Sequence, residues 1–212
     1  MKNSMIKDAL ILCAITFVLG AVLAGVNALT KNPIEQANKK ANNEACQQVI
    51  SEGDSVQDSD AKLVEAANAY MAKHDLSNDE KSEGDLLSNY VEIEEVHKTN
   101  NNGYVFLGNA RKGYGGNITF SLGVSSEGEI TGIKITSQSE TAGLGANCTK
   151  QEWQDSFKGK VLPDNAGDEM YNKKEATDSQ VQALSGATVT SRAIARAVKG
   201  ILFYAEAAKE GE

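Results

Sequence analysis

Cysteine is scarce in this chain. Three occur among 212 residues, Cys13, Cys46 and Cys148, and no two are close in sequence. No Cys-x-x-Cys is present, which argues against an iron–sulfur or zinc framework. Cys46 and Cys148 could pair only in an oxidising compartment. Histidine is scarcer still: His74 and His97 stand alone, outside any ligand-like cluster, and no metal site is expected. Basic charge is in deficit as well. The chain has 21 Lys and Arg against 29 Asp and Glu, a net charge of −8. Such a surface repels polyanions, so no nucleic-acid partner is expected. No acid–base pair or nucleophile–His–Asp arrangement for substrate chemistry stands out.

One long hydrophobic run is present. Residues 9–26 (ALILCAITFVLGAVLAGV) carry no charge, and Ala28 and Leu29 extend the run. As a helix, 18 residues span roughly 27 Å, close to the thickness of a bilayer's hydrocarbon core. A cleaved signal peptide is the alternative, with Val26-Asn27-Ala28 as a weak cleavage site, but its apolar core would normally be shorter. The run therefore reads as an uncleaved, single-pass membrane anchor over residues 9–29, after a tail at 1–8. Lysines flank both ends of the run, so charge does not set its orientation.

Beyond the anchor, Pro33 is expected to open a new helix. Residues 34–50 read as an exposed stalk within a linker over 30–60. Residues 51–60 read as a loop. Residues 61–74 read as an amphipathic helix with Val64, Ala67 and Met71 on one face. Residues 77–88 are acidic and read as a mobile loop. Four strands follow, at 90–97, 104–110, 117–124 and 130–136. The turns between them, TNNNG, GYGG and SSEGE, predict an antiparallel meander. Residues 151–157 suggest a short helix holding Trp153. Residues 160–177 read as irregular, and 181–184 as a brief strand. A helix over about 190–209 carries an apolar stripe of Ile194, Ala197, Val198, Ile201 and Leu202. The class is α+β, with an antiparallel sheet flanked by helices in a domain over 61–212 (core 90–208).

Residues 184–191 (LSGATVTS) carry the chemistry. An apolar strand ends in small residues and a helix begins. Free N–H groups at a helix start attract phosphate, with help from the helix dipole. Gly186 and Ala187 allow close backbone approach. Ser185, Thr188, Thr190 and Ser191 supply hydroxyls. An ordinary N-cap, formed by Thr190 or Ser191, accounts for the same spacing.

SGATVTS followed by an amphipathic helix resembles the signature of the FMN-binding domain shared by the Rnf G subunit and the C subunit of the sodium-translocating NADH:quinone reductase. Residues 139–145 (SETAGLG) are similar to a second segment of that domain, with Ala142 where Pro is usual. Trp153, Phe157-Lys158-Gly159 and the GYGG turn also fit that domain. Gln182 departs from the pattern, which often has Asp there. Chain length favours the Rnf G subunit. The resemblance implies FMN joined to Thr188 through a phosphoester bond, made by a separate flavin transferase from FAD. It implies that Glu140, Thr141, Gly143, Leu144 and Gly145 lie beside the isoalloxazine ring. Apart from the resemblance, a solvated loop acid is the commoner reading of Glu140. The resemblance further implies an electron-transfer subunit of a membrane-bound complex that passes electrons between ferredoxin and NAD and moves ions. Its partners would be the integral-membrane and peripheral subunits of that complex. Its site would be the cytoplasmic (inner) membrane, with the flavin domain extracytoplasmic.

Overall fold

The computed structural model describes residues 2–79, 85–173 and 176–210. Residues 80–84 of the expected acidic loop, residues 174–175 of the irregular stretch and the chain ends lie outside the described residues. Two compact units are present, Met1–Ala41 and Asn42–Glu212.

Helix α1 runs from Lys2 to Gln48 with Pro33 inside it. Pro33 therefore does not open a new helix. Its missing N–H deprives one carbonyl, that of Leu29, of its partner, and the neighbouring turns continue. Leu10–Gln48 includes a stretch long and apolar enough to cross a membrane. Leu12, Phe17, Val22 and Leu23 are exposed, which water disfavours and lipid tolerates. Thr16 and Thr30 donate their hydroxyls to carbonyls one turn back, at Leu12 and Val26. Their polar atoms are thus satisfied within the helix.

The second unit is built on one antiparallel sheet in the order β1 (Val91–Lys98), β2 (Tyr104–Ala110), β3 (Ile118–Val124) and β4 (Ile130–Ser137). The expected meander is present. Asn102 adopts a left-handed backbone (φ 60°) in the β1–β2 turn, where Asn is among the few side chains that tolerate it. Side chains alternate between the two faces. Val96, Phe106, Phe120, Leu122 and Ile133 point into the main core. Val105, one position from Phe106, points to the other face and meets Cys46 and Val49.

The inner face is covered by α2 (Ala61–Met71) and α4 (Thr188–Glu210). Asp60 caps α2, its carboxylate accepting from Lys62 N at 2.9 Å, and Ala67 and Met71 are fully buried. The whole α4 stripe from Ile194 to Leu202 is buried, as the periodicity required. α4 begins at Thr188, two residues earlier than expected.

The outer face is not bare. The end of the expected stalk packs on it, with Ala45, Cys46 and Val49 buried. Gly123 and Gly132 are register partners on β3 and β4, and Val49 lies against both, where a Cβ on Gly123 would collide with its carbonyl. Thr131 donates its hydroxyl to that same carbonyl. The sheet edges are also closed. On β1, Asn68 exchanges hydrogen bonds with Ile93 N and O at 3.0 and 2.8 Å. On β4, Ile135 N donates to Gln154 Oε1 at 2.9 Å. Gln154 belongs to α3 (Gln151–Asp155), which also carries Trp153. Trp153 meets Phe157 edge-on, with ring centres 5.0 Å apart.

Two two-residue strands, β5 (Tyr171–Asn172) and β6 (Val181–Gln182), pair in parallel and lead into α4. Cys46 lies in the outer-face cluster and Cys148 in the main core. The sheet separates them, and both are free thiols.

Candidate functional site

Three connecting segments converge at the N-terminus of α4. They are the loop after β2, the loop after β4 and the β6–α4 turn. Glu140 joins them. Its carboxylate accepts from Gly115 N at 2.8 Å through one oxygen and from the Thr190 hydroxyl through the other. Glu140 is only 8% exposed, so it is not a solvated loop acid. A buried carboxylate is tolerated where donors meet both oxygens. The glycines around it are there for space. A Cβ on Gly115 would strike the Ser139 carbonyl, and one on Gly145 would lie 2.5 Å from both Glu140 Oε2 and Thr190 Oγ1.

The β6–α4 turn is held from inside. Ser191 Oγ accepts from Leu184 N at 2.9 Å and donates to Ala187 O at 3.0 Å. Gly186 takes the left-handed conformation (φ 72°) that this turn requires. Neither Thr190 nor Ser191 caps the helix, because both lie within its first turn and are engaged elsewhere. The residue before the helix is Ala187, which has no side-chain acceptor. The first intrahelical bond is Ser191 N to Ala187 O. The N–H groups of Thr188, Val189 and Thr190 thus have no acceptor within the helix. An anion placed there meets donors and the positive end of the helix dipole.

A cavity of about 490 Å³ opens at this helix start. Glu140, Thr141, Leu144, Gly145, Gly186, Ala187, Thr188 and Thr190 line it, as do Tyr114 and Val189. Of the expected residues, Ser185 lines a neighbouring cleft with Trp153 and Gln182. Ser191 is buried beneath the turn, and Gly143 lies on the exposed loop with φ 77°. Tyr114 and Val189 were not singled out from sequence. An aromatic enclosed by glycines and an apolar residue between two threonines were the available signals. Tyr114 is 74% exposed, and Leu144 and Val189 are also exposed at the rim. A flat aromatic ligand would cover them. Among the described residues, no cluster of His, Cys, Asp or Glu is arranged to hold a metal ion.

Two family models match the chain. The FMN-binding domain covers residues 113–202, the segment that builds this cavity, and the RnfG N-terminal region covers residues 1–49. The chain is 33% identical over 197 residues to the G subunit of the Na+-translocating ferredoxin:NAD+ oxidoreductase complex of Acetobacterium woodii, covering 91% of this chain and 87% of that one. It is 28% identical over 211 residues to the G subunit of the ion-translocating oxidoreductase complex of Shewanella baltica, covering 96% and 91%. A crystal structure of NqrC from Shewanella oneidensis aligns with a TM-score of 0.46 at 18% identity, over 72% of this chain and 100% of that one. The fold and cavity thus belong to an FMN-binding domain behind an apolar N-terminal helix. The chain is a member of the RnfG family, the G subunits of ion-translocating oxidoreductase complexes.

The cavity fits a flavin nucleotide. It offers an apolar and aromatic rim for a ring system, helix N–H groups for a phosphate, and a half-buried hydroxyl on Thr188 beside them.

Proposed function

We propose that this protein is an electron-carrying subunit that holds FMN covalently on Thr188 Oγ1 within a membrane-bound ferredoxin:NAD+ oxidoreductase complex. The observation that carries the reading is the place of Thr188. It is the first residue of α4 and lines the cavity, at the helix end where N–H groups are free. Phosphoester formation joins Thr188 Oγ1 to the flavin phosphorus, breaks the pyrophosphate bond of FAD and releases AMP and the hydroxyl proton. A separate flavin transferase performs that step. FMN exchanges one or two electrons, which lets a chain join carriers of different electron number. The chain's own residues bind and orient. The N–H groups of Thr188, Val189 and Thr190 would hold the phosphate, Tyr114, Leu144 and Val189 would pack against the ring, and Glu140 keeps the three wall segments together. Neither NAD nor ferredoxin is bound by this subunit alone.

The same reading makes α1 a single membrane-spanning anchor in the cytoplasmic membrane and puts the flavin domain on the extracytoplasmic side. Covalent attachment then keeps the cofactor from being lost outside the cell. The other integral and peripheral subunits of the complex are its partners. The test is intact mass and in-gel flavin fluorescence of Thr188→Val, produced beside a flavin transferase. Wild type should carry one added FMN and the variant none, with the fold unchanged by circular dichroism. Flavin persisting in Thr188→Val would move the linkage to another hydroxyl.

A further inference from the structure

A smaller cavity of about 220 Å³ is lined by Tyr90, Lys112, Arg192, Ala193 and Arg196. Three of its five lining residues are cationic. Two of the cations are committed to acids. Lys112 Nζ lies 3.4 Å from Asp85 Oδ1 and 4.2 Å from the Tyr90 ring centre. Arg196 is bonded to both oxygens of Glu169 and lies 5.2 Å from the Tyr90 ring centre. Arg192 is exposed and has no hydrogen-bond or acidic partner among the described residues.

This cavity lies close to the FMN cavity along the chain. Lys112 is two residues before Tyr114, and Arg192 is four residues after Thr188. A four-residue step on a helix returns to the same face about 6 Å along the axis. Long helical side chains lean towards the N-terminus, over the preceding turn. By that rule the Arg192 side chain, which lines the neighbouring cavity here, can reach back over the turn that begins with Thr188. Arg196 is one turn more distant and already paired.

We infer that Arg192 is the charge partner of the flavin phosphate at Thr188, a positioning residue for the cofactor. This rests on the covalent-FMN reading above. A phosphodiester keeps one negative charge across the physiological range, and a guanidinium keeps its positive one. The planar fork can donate to both non-bridging oxygens at once. The helix N–H groups then hold the phosphate from one side and Arg192 from the other, which fixes the tether's direction into the cavity.

The test uses the full-length, detergent-solubilised chain loaded by co-expression with a flavin transferase. Intact mass is taken first. A wild-type chain without FMN would sink the covalent-flavin reading itself, separately from the role of Arg192. On loaded protein, the ³¹P resonance is compared between wild type, Arg192→Ala, Arg192→Lys and Lys158→Ala. Lys158 is exposed, pairs with Asp155 at 3.0 Å and lines neither of the two cavities. The expected result is a displaced resonance in Arg192→Ala, a smaller displacement in Arg192→Lys and none in Lys158→Ala. An unmoved resonance in Arg192→Ala overturns the assignment. Should that variant load too little flavin, Arg192→Lys decides, because one ammonium cannot reproduce two guanidinium contacts. An unmoved resonance there overturns the assignment equally.

Discussion

Glu140 and Thr190 stand 50 positions apart in the chain and share a buried hydrogen bond. Through it the loop after β4 is fastened to the first turn of α4. The second carboxylate oxygen reaches Gly115 in the loop after β2. One side chain thereby sets the spacing of all three walls of the FMN cavity.

Glu140→Ala should loosen that arrangement. It leaves the buried Thr190 hydroxyl without its acceptor, at a cost of about 1–3 kcal/mol, and releases the N–H of Gly115, an exposed residue, to water at a smaller cost. Glu140→Gln keeps one acceptor and should lose about half as much. Urea unfolding gives the stability, and the flavin-to-protein ratio gives the effect on the cavity. A wild-type midpoint for Glu140→Ala would show that the carboxylate holds nothing together.

Gly145→Ala tests the same contact by crowding. The new methyl group would sit 2.5 Å from both Glu140 Oε2 and Thr190 Oγ1. Forcing these apart should cost about 1–3 kcal/mol. Gly143→Ala, two residues away, has open space around its Cβ but a left-handed backbone, and should cost about 1 kcal/mol. Thermal unfolding of the pair should rank Gly145→Ala as the less stable and the poorer in flavin. The reverse order would refute the crowding argument.

The two thiols of the folded domain should resist both pairing and alkylation. Burial, and then the charge of Glu140, push Cys148 from the usual 9.0 up to about 11. Burial also raises Cys46. A raised thiol makes folding favourable below the unfolded value and progressively less so as pH climbs to the folded one. The Cys148 contribution is therefore intact below pH 9 and lost between about pH 9 and 11. Cys148→Ala should flatten stability against pH in that window. Mass analysis after iodoacetamide at neutral pH should find Cys46 and Cys148 unmodified until denaturant is added.

Gly123→Ala should lift the segment around Val49 off the outer face of the sheet. The added methyl group meets the Val49 carbonyl, which is fixed by the Thr131 hydroxyl. Limited proteolysis should then cut within residues 51–60 faster than in wild type, while the flavin cavity on the other side of the sheet stays loaded. Equal cutting rates would mean the segment tolerates the shift.

Much of this was legible in sequence. Alternating apolar residues and the TNNNG and SSEGE turns placed all four strands to within a residue or so, because a half-buried sheet imposes a period of two. The α4 stripe was equally plain. Its first turn was not, because the hydroxyls of Thr190 and Ser191 resemble caps until their tertiary partners, Glu140 and Leu184, are seen. Pro33 misled for a related reason. A proline marks a break when only local rules apply, but one lost hydrogen bond does not end a 47-residue helix. The seat of Val49 depends on the paired glycines of β3 and β4, more than 70 residues later, and no local pattern announces it. Tyr114 reads locally as a turn residue because its neighbours are glycines.

Trp153 donates its indole N–H to the Gln182 carbonyl at 2.9 Å, and lines one cleft with Ser185, three residues before Thr188. It is the sole tryptophan in the chain. Ultraviolet emission from this single indole would be absorbed by a yellow chromophore seated next door. If FMN is attached at Thr188 as proposed, this built-in lamp would dim as loading proceeds, and attachment could be followed in real time without a dye.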